Sequence, residues 1–204
     1  MLIDLNKLTP QQVYFTLIQT VIPRPIAWVL SENEGGSYNL APFSYFNAVC
    51  SDPPLVMISI GRKPDGAFKD TKINIEERPD FVIHIVDEDT LDDMNASSAT
   101  LPYGASELAE VGLETTAIDD FPLPRLKRVK VAFACTRHQV LQLGGSPQSI
   151  VFGEVKKVFV EDSVVGEDAK GRAKILADKI RPVGRMGASE YLSFGEIIRK
   201  ARPA

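Results

Sequence analysis

Residues 51–61 read SDPPLVMISIG, and this stretch decides the class of fold. A mostly apolar run, residues 55–60, is bounded by a Pro-Pro pair on one side and by a glycine on the other. A run this short between turn residues is typical of a buried β-strand rather than of a helix. We therefore predict a strand over residues 55–60.

Similar runs lie on both sides of this strand. We predict further strands over 26–30, 38–41, 81–86, 129–136, 139–143 and 149–160, the first two forming a hairpin. Short helices are predicted over 9–20, 67–78, 88–99, 105–112 and 168–179, with Thr9 as N-cap and Pro10 in the first turn of the first. Because strands dominate without regular alternation with helices, we expect a mainly β, antiparallel barrel in a single domain, residues 1–204.

The composition excludes several classes of function. The 204 residues carry a net charge of −4, which argues against nucleic acid or an anionic membrane as the main partner. No signal peptide or long apolar stretch is visible, so we expect a cytoplasmic protein. Cys50 and Cys135 are predicted to be buried, reduced thiols, and the two histidines and two cysteines have no metal-ligand spacing. His84, inside an apolar run, is predicted to be a core or interface histidine.

The segment NLAPFSYFNA, residues 39–48, is the first candidate for a binding site. It mixes amide, hydroxyl and aromatic side chains directly after a strand. Pro42 is expected to break the strand ladder and to free nearby N–H and C=O groups for the edge of a flat heterocycle. Tyr45 or Phe46 would pack beside that ring. The alternative is a polar bend with two core aromatics.

The segment SIGRKPDGAFKDT, residues 59–71, is the second candidate. A strand ends at Gly61, a basic loop follows, and a helix begins. A helix N-terminus suits a phosphate, and Arg62, Lys69 and Thr71 would add charge and a hydroxyl donor. The phosphate-binding motifs GxxxxGK[ST] and GxGxxG are both absent. The alternative is a solvated basic loop.

The segment RPVGRMGASEY, residues 181–191, is the third candidate. Gly184 and Gly187 permit close approach of the backbone to a ligand, and Arg185 would reach a phosphate or a ring carbonyl. The alternative is a C-terminal tail that covers the barrel. No catalytic dyad or triad is visible, and the catalytic residues stay unassigned.

These segments, in this order, resemble the flavin reductase-like family with the FMN-binding split barrel, in its flavoredoxin-like branch. The matching motifs are RPIAWV (24–29), NLAPFSYFNAV (39–49), SDPPLVMISI (51–60), KDTKINI (69–75), FVIHIV (81–86), IVFGEV (150–155) and VGRMGASEY (183–191). The resemblance implies a six-stranded antiparallel Greek-key barrel with a few added helices, a homodimer, and non-covalent FMN. It implies that the flavin ring lies against residues 39–48 and that the phosphate is held at 59–71, with Lys69 and Thr71 as principal contacts.

The complete set of expected cofactor-binding residues combines the three segments with one arginine before them. It consists of Arg24, Asn39, Ala41, Pro42, Phe43, Ser44, Phe46, Asn47, Ser59, Gly61, Arg62, Lys69, Asp70, Thr71 and Arg185. The function implied is an NAD(P)H-dependent oxidoreductase that passes electrons from FMN to a further acceptor. Two alternatives remain open: an FMN electron carrier without nicotinamide activity, and a flavin-binding module. The branch motifs do not favour a monooxygenase partner.

Overall fold

The computed structural model describes residues 1–201 and residue 203. The helices are α1 (Pro10–Thr20), α2 (Asp70–Glu77), α3 (Leu91–Ala96), α4 (Glu107–Val111) and α5 (Ala177–Ile180). The strands are β1 (Ala27–Glu32), β2 (Tyr38–Phe43), β3 (Phe46–Ser51), β4 (Pro54–Ile60), β5 (Asp80–Ile85), β6 (Thr115–Thr116), β7 (Arg125–Leu126), β8 (Val131–Gln142), β9 (Ser149–Val160), β10 (Val165–Glu167), β11 (Ala173–Ile175), β12 (Gly184–Arg185) and β13 (Tyr191–Leu192). The mainly β class predicted from the sequence is confirmed.

Seven strands form one antiparallel sheet in the order β2-β1-β5-β8-β9-β4-β3. β2 and β3 lie at opposite ends of this order, yet only two residues connect them. Three Cα–Cα steps span at most about 11 Å, so the sheet must curl until its two ends meet. The main-chain N–H of Ser59 in β4 donates to the carbonyl of Tyr45 at 2.8 Å, which extends the β3–β4 ladder into the two-residue connection. Because β2 and β3 do not pair in the described residues, the barrel is split there.

The sheet carries apolar side chains on both faces, which explains the continuous apolar runs in its strands. Along β1, Trp28 and Leu30 belong to one buried cluster, whereas Ala27 and Val29 belong to the other. The second cluster fills the inside of the curled sheet, and the first is covered by the excursion between β5 and β8. Successive side chains point to opposite faces of a strand, so a strand covered on both sides loses its polar alternation.

Helix α1 begins as predicted. The hydroxyl oxygen of Thr9 accepts from the N–H of Gln12, whose side chain accepts from the N–H of Thr9 in return. Pro10 occupies the first turn, where its missing N–H costs no intrahelical hydrogen bond. This reciprocal capping box fixes the start of the helix.

The helix predicted over residues 168–179 is wrong in most of its length. β10 and β11 pair there as an antiparallel hairpin, and only the short α5 follows. Gly171 adopts a φ of 72°, and the carboxylate of Asp168 accepts from the main-chain N–H groups of Lys170 and Arg172 at 2.8 and 3.0 Å. These local hydrogen bonds satisfy the turn and compete with a helix.

Three smaller expectations also need correction. Residues 129–136 and 139–143 form parts of one long strand, β8, whose register shifts at two bulges. β3 was not expected, and Cys50 within it is exposed, whereas Cys135 is buried as predicted.

The core position of His84 is confirmed, since the residue is fully buried.

Candidate functional site

Edge strand β2 forms one wall of a groove at the seam of the barrel. The main-chain N–H of Leu40 donates to Glu107 Oε2 at 2.9 Å and therefore points away from β1. Main-chain groups alternate in direction along a strand, so the nitrogen of Pro42 lies on the same outward side. Pro42 pairs in register with Trp28, and the expectation that it breaks the ladder is wrong. By the same alternation, the main-chain N–H groups of the two residues that flank Pro42 point to β1. The main-chain N–H of Ser44, two positions after Pro42, therefore points outward and lies beside the groove.

The other end of the groove is cationic, and helix α2 begins there. Lys69 directly precedes the helix, with its Nζ atom 5.5 Å from the ring centroid of Phe43. Burial, and secondly the charge of Lys63, lowers the pKa of Lys69. The first amides of an α-helix have no intrahelical acceptor, and the helix dipole is positive at this end. An anion is the natural occupant of such a position.

Thr71, in the first turn of α2, joins this cationic end to β2. The side-chain amide of Asn39 donates to Thr71 Oγ1 at 2.8 Å, and both residues are buried. A hydroxyl that accepts one hydrogen bond keeps its own proton to donate. The Thr71 hydroxyl is therefore oriented by β2 while its donor function remains.

The basic loop between β4 and α2 is closed around Phe68. The guanidinium carbon of Arg62 and the Nζ atom of Lys72 lie 3.7 and 3.6 Å from the ring centroid. Two cations this close to one centroid must occupy opposite faces of the ring. Arg62 also donates to the carbonyl of Gly66 at 3.2 Å. The loop therefore holds Arg62 in one place instead of leaving it free in solvent.

Two acidic side chains lie among these cations. Asp70 Oδ1 lies 2.5 Å from Lys63 Nζ, so the charge of Asp70 is balanced by Lys63. Glu107 is buried, and this burial raises its pKa, an effect that the hydrogen bond from Leu40 partly opposes. Arg62 and Lys69 have no carboxylate partner within the described residues. The end of the groove therefore keeps an excess of positive charge.

The wall and the cationic end enclose adjoining cavities. One, of about 280 Å³, is lined by Asn39, Ala41, Pro42, Arg62, Lys63, Pro64, Lys69, Asp70, Thr71, Ser97, Ser98, Ala99, Thr100, Leu101 and Glu107. The next, of about 590 Å³, is lined by Tyr14, Pro42, Phe43, Ser44, Tyr45, Ser59, Gly61, Arg62, Lys63, Pro64, Gly66, Lys69, Pro147 and Gln148. Because the two share Pro42, Arg62, Lys63, Pro64 and Lys69, they adjoin along these residues, and together they are called the groove.

Two predicted arginines have different environments. Arg24 is buried and donates to the carbonyls of Ile18, Val21 and Met186 at 2.6–2.7 Å. Its Nε atom lies 3.4 Å from Ser44 Oγ, so Arg24 supports the groove wall from behind. Arg185 lines a third cavity, of about 220 Å³, which shares Pro42 and Ser44 with the groove.

The structure brings most of the expected cofactor-binding residues to this one region and leaves three outside the cavity walls. Those at the walls are Asn39, Ala41, Pro42, Phe43, Ser44, Ser59, Gly61, Arg62, Lys69, Asp70, Thr71 and Arg185. Phe46 packs in the inner core, Asn47 is exposed on β3, and Arg24 lies behind Ser44.

Sequence reasoning missed one side of the groove. Residues 97–101 follow α3 and line the first cavity together with Glu107 at the start of α4. The only signal was the run of small residues Ser-Ser-Ala-Thr, three of them with hydroxyl groups, at the end of the helix predicted over 88–99. Ser97 is fixed there because its hydroxyl accepts from Trp28 Nε1 at 2.8 Å. This contact spans 69 positions of sequence and no local pattern indicates it.

The chain belongs to the family described as flavin reductase like domain, whose pattern matches residues 19–177. The family resemblance predicted from the sequence is thereby confirmed. The match covers β1 to β11 and includes both ends of the groove.

Solved structures with the same fold include three informative neighbours. The nitrilotriacetate monooxygenase component B from Bacillus cereus superposes with a TM-score of 0.89 and 32% identity, covering 98% of each chain. The 2-nitrobenzoate 2-nitroreductase NbaA of Pseudomonas fluorescens gives a TM-score of 0.88 and 31% identity, covering 100% of this chain and 96% of that one. A flavin reductase with a split barrel domain from Shewanella frigidimarina, at 21% identity and a TM-score of 0.83 over 98% and 96% of the two chains, supports the split-barrel fold.

No helix in the described residues is both long enough and apolar enough to span a membrane.

Proposed function

We propose that this protein binds FMN non-covalently in the groove and uses it to pass electrons from a reduced nicotinamide to a further acceptor. The observation that carries the proposal is that the two cavities of the groove adjoin along shared residues. A flat, partly aromatic wall at Pro42–Ser44 opens directly into a cationic end at Lys69 and Thr71. A planar ring with an anionic tail fits these two ends in that order.

The residues at the cationic end suit a phosphate. Phosphate oxygens would accept hydrogen bonds from the Thr71 hydroxyl and from the first amides of α2. The side chains of Arg62 and Lys69, which have no carboxylate partner in the part of the chain that the structure describes, would add charge-assisted hydrogen bonds. The low pKa of Lys69 is consistent with this role, because a neighbouring anion restores the charged form of a buried amine. The carboxylate of Asp70 would not contact the anion and instead keeps Lys63 in place.

The residues at the wall suit the ring. The amide of Ser44 would donate to the ring edge, while Phe43 and Pro42 offer apolar contact. Arg24 fixes the Ser44 side chain from behind. A bound FMN would supply the redox chemistry, taking a hydride from a reduced nicotinamide and passing electrons onward. The chain itself would bind and orient the cofactor and would need no nucleophile or general base of its own.

Replacement of Lys69 tests the cofactor assignment. Lys69→Ala removes a charge-assisted hydrogen bond worth about 1.5–3 kcal/mol, so the dissociation constant for FMN should rise by roughly ten- to a hundredfold. The matched control is Lys174→Ala, an exposed lysine of β11 outside the groove. Titration of apo-protein with FMN, followed by flavin fluorescence, measures both variants. Equal dissociation constants in the wild type and Lys69→Ala would remove Lys69 from the site.

The nicotinamide step has a separate test. NADH or NADPH added without oxygen should bleach the yellow absorbance of the FMN-loaded protein. Reduction by dithionite but by neither nicotinamide would support the electron carrier instead. The neighbours' names make a partner monooxygenase and a nitroaromatic compound the first acceptors to try.

The proposal includes a homodimer in the cytoplasm. Tyr14 and Phe15 on α1 and Val49 on β3 are exposed apolar side chains that a second copy of the chain would cover. The exposed thiol of Cys50 suits a reducing compartment. Light scattering should give twice the chain mass for the wild type and a smaller mass for Phe15→Glu. Cell fractionation tests the location.

A further inference from the structure

A third cavity, of about 220 Å³, opens beside the ring wall and away from the cationic end. It lies between α1, the end of β2, α3 and the hairpin of β12 and β13. It shares Pro42, Phe43 and Ser44 with the main groove but none of the residues Arg62, Lys63 and Lys69. Anything bound there would therefore contact the wall assigned to the ring without competing for the phosphate position.

Arg185 gives this cavity its chemistry. Its guanidinium carbon lies 4.4 Å from the ring centroid of Tyr191, and its Nη2 atom donates to the carbonyl of Ala188. The Nη1 atom is buried and has no hydrogen-bond partner among the described residues. A buried cationic donor without a partner is costly, which requires an explanation in terms of a ligand or solvent.

The contrast with Arg24 shows that the unused donor is particular to Arg185. The two residues face each other across an antiparallel bridge, with reciprocal main-chain hydrogen bonds of 3.0 and 2.8 Å. The Arg24 side chain donates to three carbonyl oxygens and lies against Ser44 Oγ. Arg24 is therefore part of the frame, whereas Arg185 has one such bond and lines the cavity.

The remaining lining residues define the shape and polarity of the ligand. Phe43, Tyr14 and Tyr191 present aromatic surface, Ile26 and Met94 are apolar, and Ser44 supplies a hydroxyl. The volume is below the roughly 300–1,000 Å³ of sites for larger ligands. A single ring with one anionic group fits this combination, and a whole dinucleotide does not.

We propose that this cavity is a second-substrate subsite for a small planar aromatic carboxylate, whose carboxylate pairs with Arg185 while its ring packs against Phe43. The assignment rests on the proposed function, because the ligand would lie beside the bound flavin ring. The guanidinium suits a carboxylate because its planar donors match two oxygens at once. A neutral amide of the same shape loses this charge-assisted pair.

Benzoate and benzamide are matched probes for this subsite. FMN-loaded protein is titrated with each, and binding is measured from the change in the visible flavin spectrum. Benzoate should give a saturable change, and benzamide should bind about tenfold or more weakly. The spectrum before addition shows whether FMN is bound, so failure of the cofactor proposal is seen separately from failure of the subsite.

Arg185→Gln tests the assigned residue. Its benzoate dissociation constant should rise by about ten- to a hundredfold, and this rise should exceed any change in its FMN dissociation constant. Arg172→Gln, an exposed arginine of the loop between β10 and β11, is the control and should leave both constants unchanged. Equal benzoate binding in wild type and Arg185→Gln, no benzoate effect in the wild type, or a parallel loss of FMN would each overturn the proposal.

Discussion

Asn39 in β2 and Thr71 in α2 lie 32 positions apart and are joined by a buried hydrogen bond of 2.8 Å. Asn39→Ala leaves the Thr71 hydroxyl without its donor, so the free energy of unfolding should fall by about 1–3 kcal/mol. FMN affinity should fall as well, because this bond orients Thr71 at the cationic end. Urea unfolding of the apo-protein and FMN titration measure the two effects.

Asn6→Ala is the control for this prediction, since Asn6 is exposed near the N-terminus and outside the groove. An Asn39→Ala variant with wild-type stability and wild-type FMN affinity would show that the contact has no role in the site.

Arg62 and Lys72 lie over the two faces of the Phe68 ring. We expect the aromatic face, rather than apolar packing alone, to hold Arg62 in position. Phe68→Leu keeps an apolar side chain but removes the ring face, so both cations lose a contact worth about 0.5–1 kcal/mol. Arg62 is then less restrained, and FMN binding should weaken severalfold. Phe68→Trp keeps the face and should retain most of the affinity, as measured by FMN titration. Equal losses in both variants would mean that packing alone, and not the ring face, positions Arg62.

The sequence predicts the fold well wherever one local pattern is sufficient. The capping residues Thr9 and Pro10 set the start of α1, and the short apolar runs locate the strands. Both ends of the groove were expected for the same reason: each is a continuous segment in which strand, loop and helix signals follow one another.

Local turn chemistry and long-range contacts together explain what the sequence left unpredicted. The late helix was expected from its residues, but Gly171 and the hydrogen bonds of Asp168 favour a hairpin. The wall formed by residues 97–101 depends on Trp28, and the cavity at Arg185 depends on the bridge to Arg24. Trp28 and Arg24 are distant in sequence from Ser97 and Arg185, and only the folded chain brings these pairs together.

His84 is predicted to make stability depend on pH. The main-chain N–H of Leu126 donates to Nε2 at 3.1 Å, which leaves the proton on Nδ1, 2.9 Å from the carbonyl of Trp28. Burial, the largest cause, lowers the pKa of His84 from 6.5 to about 4. Between these values the unfolded chain binds a proton that the folded chain does not, so stability falls as the pH falls, by about 3 kcal/mol in total.

His84→Gln checks this pH dependence, because a glutamine amide can replace both hydrogen bonds but does not titrate. The loss of unfolding free energy between pH 7 and pH 5, measured with urea, should be smaller in this variant than in the wild type. His138→Gln, which alters an exposed histidine, should keep the wild-type slope. An unchanged slope in His84→Gln would mean that other groups cause the acid sensitivity.

Lys69 should make FMN affinity sensitive to alkaline pH. Burial first, and the charge of Lys63 second, lowers the pKa of Lys69 in the free protein. A phosphate favours the charged amine, so affinity is full below this lowered pKa and decreases as the pH rises through it. The decrease should begin below the usual range of lysine, which titrates near pH ~10.4.

Lys69→Arg keeps a positive charge throughout, since a guanidinium does not lose its proton in this range, and should flatten the profile. The profile of FMN affinity against pH should also be flat in Lys69→Ala, but at the weaker affinity already expected for this variant. FMN titrations from pH 7 to pH 10 in all three proteins separate these cases. A wild-type profile that coincides with that of Lys69→Arg would show that the decrease comes from the flavin or from another group, and that Lys69 does not bind the anion.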